Sequence, residues 1–203
     1  MILSFVRFIP AKKRLGSLAI LLAVQLAIPK HTAAHEFTVA IRAESAAALA
    51  SSIRGMRLAS TERDAHANET SDGHLGGLDL YILPQPSGVD HGIGWLERPG
   101  TGAPDVTVLM DGAEDLVDTD TTGAIVIGTG ALPPDIVRDD SGVFPVGFAE
   151  RYVAAYGQPP DLPAARSYNA ARRIDMVVRQ FGSVADRSAI VEGLAATRDG
   201  IQW

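Results

Sequence analysis

The stretch FTVAIRAESAAALASSIRGMRLASTERDA, residues 37–65, decides the fold class. Phe37–Ile41 is a short apolar and β-branched run suited to a buried strand. Beyond Glu44 and Ser45, residues Leu49, Ile53, Met56 and Leu58 mark one apolar helical face. The polar, glycine-rich turn HANETSDGHLGG then leads into a second strand, LDLYIL (Leu78–Leu83), closed by Pro84 and Pro86.

Working outward, SGVDHGIGWLERPGTGAP holds too much glycine and proline for a long helix, with room for a short turn around Trp95. DVTVLM (Asp105–Met110) and AIVIG (Ala124–Gly128) read as two further buried strands. Strands apolar at successive residues, separated by helices or crossovers, favour a parallel sheet covered on both faces. The expected fold is therefore α/β: a three-layer sandwich on a mostly parallel sheet of about four strands, wound as in flavodoxin. After Pro133–Pro134 the pattern becomes helical, and Ser183-x-x-Asp186 resembles a capping box for the last helix.

The first 34 residues stand apart. Lys12, Lys13 and Arg14 precede the apolar run SLAILLAVQLAI and then PKHTAA, the order of a secretory signal peptide cleaved after Ala34. A membrane anchor needs about 20 uninterrupted apolar residues, and this run is shorter. The expected mature chain, 35–203, suits one domain with its own core. It carries thirteen arginines, no lysine and all 24 acidic residues, a formal charge near −11. Such a surface repels phosphate backbones and argues against nucleic acid as a partner. With no cysteine anywhere, disulfides, thiolate zinc sites, cysteine nucleophiles and lipidation at an N-terminal cysteine are excluded. The expected location is the periplasm.

FAERYVAAYGQPPDLPAARSYNAARRIDMVVRQFG, Phe148–Gly182, places a sharp corner between two amphipathic helices. An aromatic helix ends in Tyr-Gly, a proline turn follows, and the next helix opens with Tyr-x-Ala. These positions are Phe148, Tyr152, Tyr156, Gly157, Pro159, Tyr168, Ala170 and Ala171. The pattern resembles the C-terminal region of type 1 periplasmic solute-binding proteins, the branched-chain amino-acid class of ABC-transporter receptors. FTVAI, IRGMRLASTERDA and GGLDLYILPQPSG are similar to that family's first strand, first crossover helix and second strand. The two blocks cover roughly half of the expected mature chain. The chain departs from the family where a complete second lobe belongs, and RAESAAALASS lacks the Ser-Gly-rich turn that cradles a small ligand there.

Single sites carry less. DTDTTG (Asp118–Gly123) imitates half an EF-hand loop through Asp118, Asp120 and Thr122, but position twelve is Thr129 where calcium needs a carboxylate. An acidic turn before a strand explains it better, so no metal is expected. Gly128–Gly130 follows a strand as a dinucleotide loop does, yet ALPPD cannot continue as the helix that binds a pyrophosphate. His66, His74 and His91 lack matched spacings and read as solvated loop residues. No G-x-S-x-G elbow is present. Arg172, Arg173 and Arg179 read as a solvated cationic helix side paired with local carboxylates. Trp95 and Trp203 are candidate partner contacts.

The resemblance implies a non-enzymatic periplasmic receptor that binds a small, amino-acid-like polar solute without a cofactor and delivers it to an inner-membrane ABC permease. In such sheets ligands sit beyond the carboxyl ends of the strands, here near Glu44, Ser45, Gln85, Asp111 and Thr129. The alternative is an accessory protein that has lost ligand capture and binds another periplasmic protein, or a second copy of itself, through its exposed lobe face.

Overall fold

A computed structural model of the chain describes residues 36–63, 70–86, 103–110, 115–120, 123–132, 136–139, 142–145 and 147–201. The chain divides into two compact units, 1–33 and 34–203, and every described residue lies in the second. The expected turn at Trp95, and Trp203, His66 and His91, lie outside the described residues. Among the described residues no helix is long and apolar enough to cross a membrane.

The architecture is α/β, with a mixed six-stranded sheet and four helices. Strands β1 (Glu36–Ala43), β2 (His74–Leu75), β3 (Leu78–Pro86), β4 (Val106–Leu109), β5 (Val117–Thr119) and β6 (Ile125–Ile127) form it in the order β2-β3-β1-β4-β6-β5. The four runs read as strands in the sequence are its centre, and β3, β1, β4 and β6 are mutually parallel. The expectation of a mostly parallel sheet of about four strands needs correction, because β2 and β5 pair antiparallel at the two edges. Each edge strand is too short to show a period. Local turn chemistry places it: Gly76–Gly77 in left-handed conformation for one hairpin, the Asp120–Gly123 turn for the other. A separate hairpin joins β7 (Ile136–Asp139) to β8 (Gly142–Pro145), where the sequence had suggested a helix.

Register explains the core. Phe37 lies opposite Leu80, Val39 opposite Ile82 and Val106, Ile41 opposite Val108, and Val108 opposite Ile127. Side chains alternate across a strand, so these residues share one face. They form a single cluster with residues of α1 (Ala46–Arg63), α2 (Phe148–Tyr156), α3 (Leu162–Phe181) and α4 (Arg187–Ala196). The helical layer on the opposite face, which a three-layer sandwich requires, has no representative among the described residues.

The corner between α2 and α3 lets two helices address one partner, α1. Gly157 ends α2 in left-handed conformation, its N–H bonded to the Val153 carbonyl. Asp161 then caps α3 by accepting from the Ala164 N–H and from the Ser51 hydroxyl of α1, and Pro163 occupies the first turn. From α2, Tyr152 accepts from Arg54 Nε and Tyr156 donates to the Arg54 carbonyl. From α3, the Tyr168 hydroxyl donates to Glu62 at 2.6 Å, and Arg151 bridges both. The last helix starts one cap later than the sequence pattern indicated: Asp186, not Ser183, accepts from the first-turn N–H of Ala189.

Burial, reinforced by Glu62, raises the Tyr168 pKa above the ordinary phenol value of 10. Tyr168→Phe is expected to cost about 2 kcal/mol at neutral pH, the worth of a hydrogen bond to a carboxylate. Above pH 10 the unfolded wild-type chain loses this phenol proton before the folded one, so folding stability falls there. The Phe variant lacks that loss, and the gap to wild type is expected to shrink; denaturant titrations at pH 7 and above pH 10 measure it.

Candidate functional site at the carboxyl edge of the sheet

The two ends of the parallel strands differ in how completely their polar groups are paired. At the amino edge Asp105 accepts from the Thr38 N–H at 2.9 Å and from Arg187 at 2.7 Å. His74, buried in β2, lies 2.7 Å from its cross-strand neighbour Asp79, which corrects its reading as a solvated loop residue. The Gly76 N–H donates to Asp175. That edge is closed by its own side chains.

The carboxyl edge is not. Among the described residues, Arg42 Nε near the end of β1, Gln85 Oε1 near the end of β3 and Thr129 Oγ1 just past β6 are buried without a hydrogen-bond partner. Two further such atoms, Ser167 Oγ and Arg172 Nε, belong to the helix layer. Gln85 is 5% exposed and Thr129 1%. A buried polar atom with no partner costs about 1–3 kcal/mol, so three at one edge call for a function. Arg42 is the direct neighbour of Gln85 on one side and of Leu109 on the other. Leu109 follows the Val108–Ile127 pair, so Gly128 stands at the same level.

The loop after β6 is shaped from behind by α3. Arg173 donates to the Gly128 carbonyl at 3.0 Å, and Asn169 donates to the carbonyls of Thr129 and Ala131. With these carbonyls held by α3, the N–H groups of Thr129 and Gly130 have no acceptor among the described residues. Gly130 adopts φ +73°, and a Cβ there would stand 2.6 Å from Arg173 Nη1. Successive free N–H groups beside a left-handed residue form a concavity suited to an anion.

Arg173 corrects the reading of a solvated cationic helix side. It is fully buried, and among the described residues it meets only neutral acceptors: the Gly128 and Leu194 carbonyls and the Thr197 hydroxyl. Desolvation lowers its pKa to about 10. Arg179, by contrast, pairs with Asp175 at 2.8 Å as expected.

The structure brings two of the five expected ligand residues, Gln85 and Thr129, to this edge as buried groups with unused hydrogen-bonding capacity. Ser45 is exposed and its hydroxyl accepts from the Ala48 N–H, capping α1. Glu44 is exposed beside it. Asp111 lies outside the described residues, as does Thr122 of the acidic loop. Asp120 there accepts from the Ala124 N–H and closes the β5–β6 turn, while Asp118 accepts from the neighbouring Thr119 N–H. No group of three metal-binding side chains occurs among the described residues. Sequence reasoning missed Arg42 and Arg173. Arg173 had a signal, since it falls three and four residues from Ala170 and Val177 on the apolar face of α3.

Comparison with protein-family models, curated proteins and solved structures returns no match.

Proposed function

We propose that the protein is a non-covalent receptor for a small polar solute, held at the carboxyl edge of the sheet. The observation that carries this reading is the set of buried, unpartnered groups Arg42 Nε, Gln85 Oε1 and Thr129 Oγ1 at that edge, set against an amino edge with no such side-chain atom among the described residues. The order of the four parallel strands, second-first-third-fourth in chain order, supports a flavodoxin-like winding, in which ligands sit at this edge. The tyrosine-rich corner and the Phe37–Gly88 block support kinship with type 1 periplasmic solute-binding proteins. On that kinship the protein is periplasmic and hands its solute to an ABC permease. Nucleophilic chemistry is not needed: side chains and loop amides orient the solute.

The test is thermal unfolding of the purified full chain against amino acids, small organic acids, alcohols and calcium. A native-state ligand at about one hundred times its Kd adds about 2.7 kcal/mol. One organic solute class is expected to raise the midpoint saturably. Gln85→Leu is expected to abolish that shift while leaving stability unchanged or raised by about 1 kcal/mol, because it removes an unpaired buried oxygen. A well-folded protein whose midpoint no organic solute moves contradicts the receptor reading and leaves the accessory role.

A further inference from the structure

Two positive centres flank the end of β4. Arg42 is a cation with a buried, unpartnered Nε on β1, and no carboxylate among the described residues pairs with it. Arg173 lies behind Gly130 beyond β6 and likewise meets no carboxylate. Beyond residue 34 acids outnumber bases by 24 to thirteen, so two such cations at one edge are not a sample of the average surface. The N–H groups of Thr129 and Gly130, with no acceptor among the described residues, suit one anionic group, and Arg173 supplies potential from behind. That leaves Arg42 unanswered.

We propose that the solute is an acid with two anionic ends, a dicarboxylate, one end on the Thr129–Gly130 loop and the other on Arg42. The inference rests on the carboxyl edge being a solute site. β1 and β6 are separated by β4 alone, two strand spacings of about 4.8 Å each, so the anchors stand roughly 10 Å apart before side chains reach inward. A few methylenes between carboxylates bridge that gap. The planar fork of Arg42 suits a carboxylate through two parallel hydrogen bonds. The Gln85 carboxamide beside it turns either its NH2 or its oxygen toward the bound group. A neutral polyol uses neither cation, and a monocarboxylate uses one.

The experiment is calorimetric titration of the purified full chain with glutarate, adipate and pimelate, against valerate, hexanoate and heptanoate. At least one dicarboxylate is expected to bind about tenfold or more tightly than the monocarboxylate of equal length. Arg42→Gln is expected to bring that ratio close to one. Equal affinities in the two series, or a ratio that survives Arg42→Gln in a folded protein, overturns the proposal and leaves the solute site standing. Tighter binding of an amino acid with a single carboxylate than of every dicarboxylate also overturns it. If no acid binds but another solute class raises the unfolding midpoint, only the dicarboxylate falls; if nothing binds, both readings fall together.

Discussion

Gly55→Ala is expected to lower the unfolding midpoint, although alanine is the better helix former. In an exposed helix the exchange gains up to about 1 kcal/mol. Gly55 is not exposed: α1 and α3 touch there, and an added Cβ would stand 2.1 Å from the Ala164 carbonyl oxygen and 2.8 Å from its carbon. Both atoms are backbone, so no side chain can swing aside. Relief requires α3 to move away from α1, which strains the Asp161–Ser51 and Tyr168–Glu62 bonds that join them. Overpacking of this kind costs typically about 1–3 kcal/mol and occasionally more. Because the clash involves main chain, the upper end applies, and the net loss is about 2 kcal/mol. For a chain of this size that is a fall of roughly 4–8 °C. Thermal denaturation of the single variant checks it, and a rise in the midpoint would show that α1 and α3 do not meet at Gly55.

The second large effect is at Arg173. Arg173→Met keeps most of the side-chain length and removes the cost of burying a charge, a cost visible in the guanidinium pKa of about 10. Three hydrogen bonds go with it. The Leu194 carbonyl keeps a donor, the Thr197 hydroxyl, but the Gly128 carbonyl has none to replace Arg173 among the described residues. Hydrogen bonds to charged groups contribute about 1.5–3 kcal/mol each, so their loss outweighs the relief of desolvation and the expected net cost is about 3 kcal/mol. Arg173→Lys is expected to fall short as well, since one ammonium cannot span acceptors served by Nε, Nη1 and Nη2. Denaturant unfolding measures both, and a Met variant as stable as wild type would mean that the buried cation is not what holds the β6 loop to α4.

The central sheet was legible because β1, β3, β4 and β6 are buried and apolar, and burial writes itself as unbroken runs. The edge strands were not. His74–Leu75 has two residues and Val117–Thr119 three, and neither length can display alternation. IVRD and GVFP pair as the two strands of a hairpin, but neither alternates, and the prolines before them drew the reading toward a helix start. At the candidate site, Gln85 and Thr129 could be named because strand ends in parallel sheets are where ligands go. Ser45 followed the same rule and is occupied as a helix cap. Arg42 was hidden because a cation at a strand's end looks like any solvated terminus until the register sets it beside Gln85. Whether a polar atom lacks a partner depends on three-dimensional neighbours, and no one-dimensional pattern records it.

The carboxyl-edge account is tested most directly by an amide and arginine-side-chain chemical-shift map of the isotopically labelled full chain, recorded with and without saturating pimelate. The account predicts that the largest changes fall on the Thr129 and Gly130 amides and on the Arg42 Nε–H, with the amino-edge amides of Thr38 and Gly76 undisturbed. Changes centred on the outer surface of α3, around Arg172, Met176 and Ile201, or no changes at all, would contradict it.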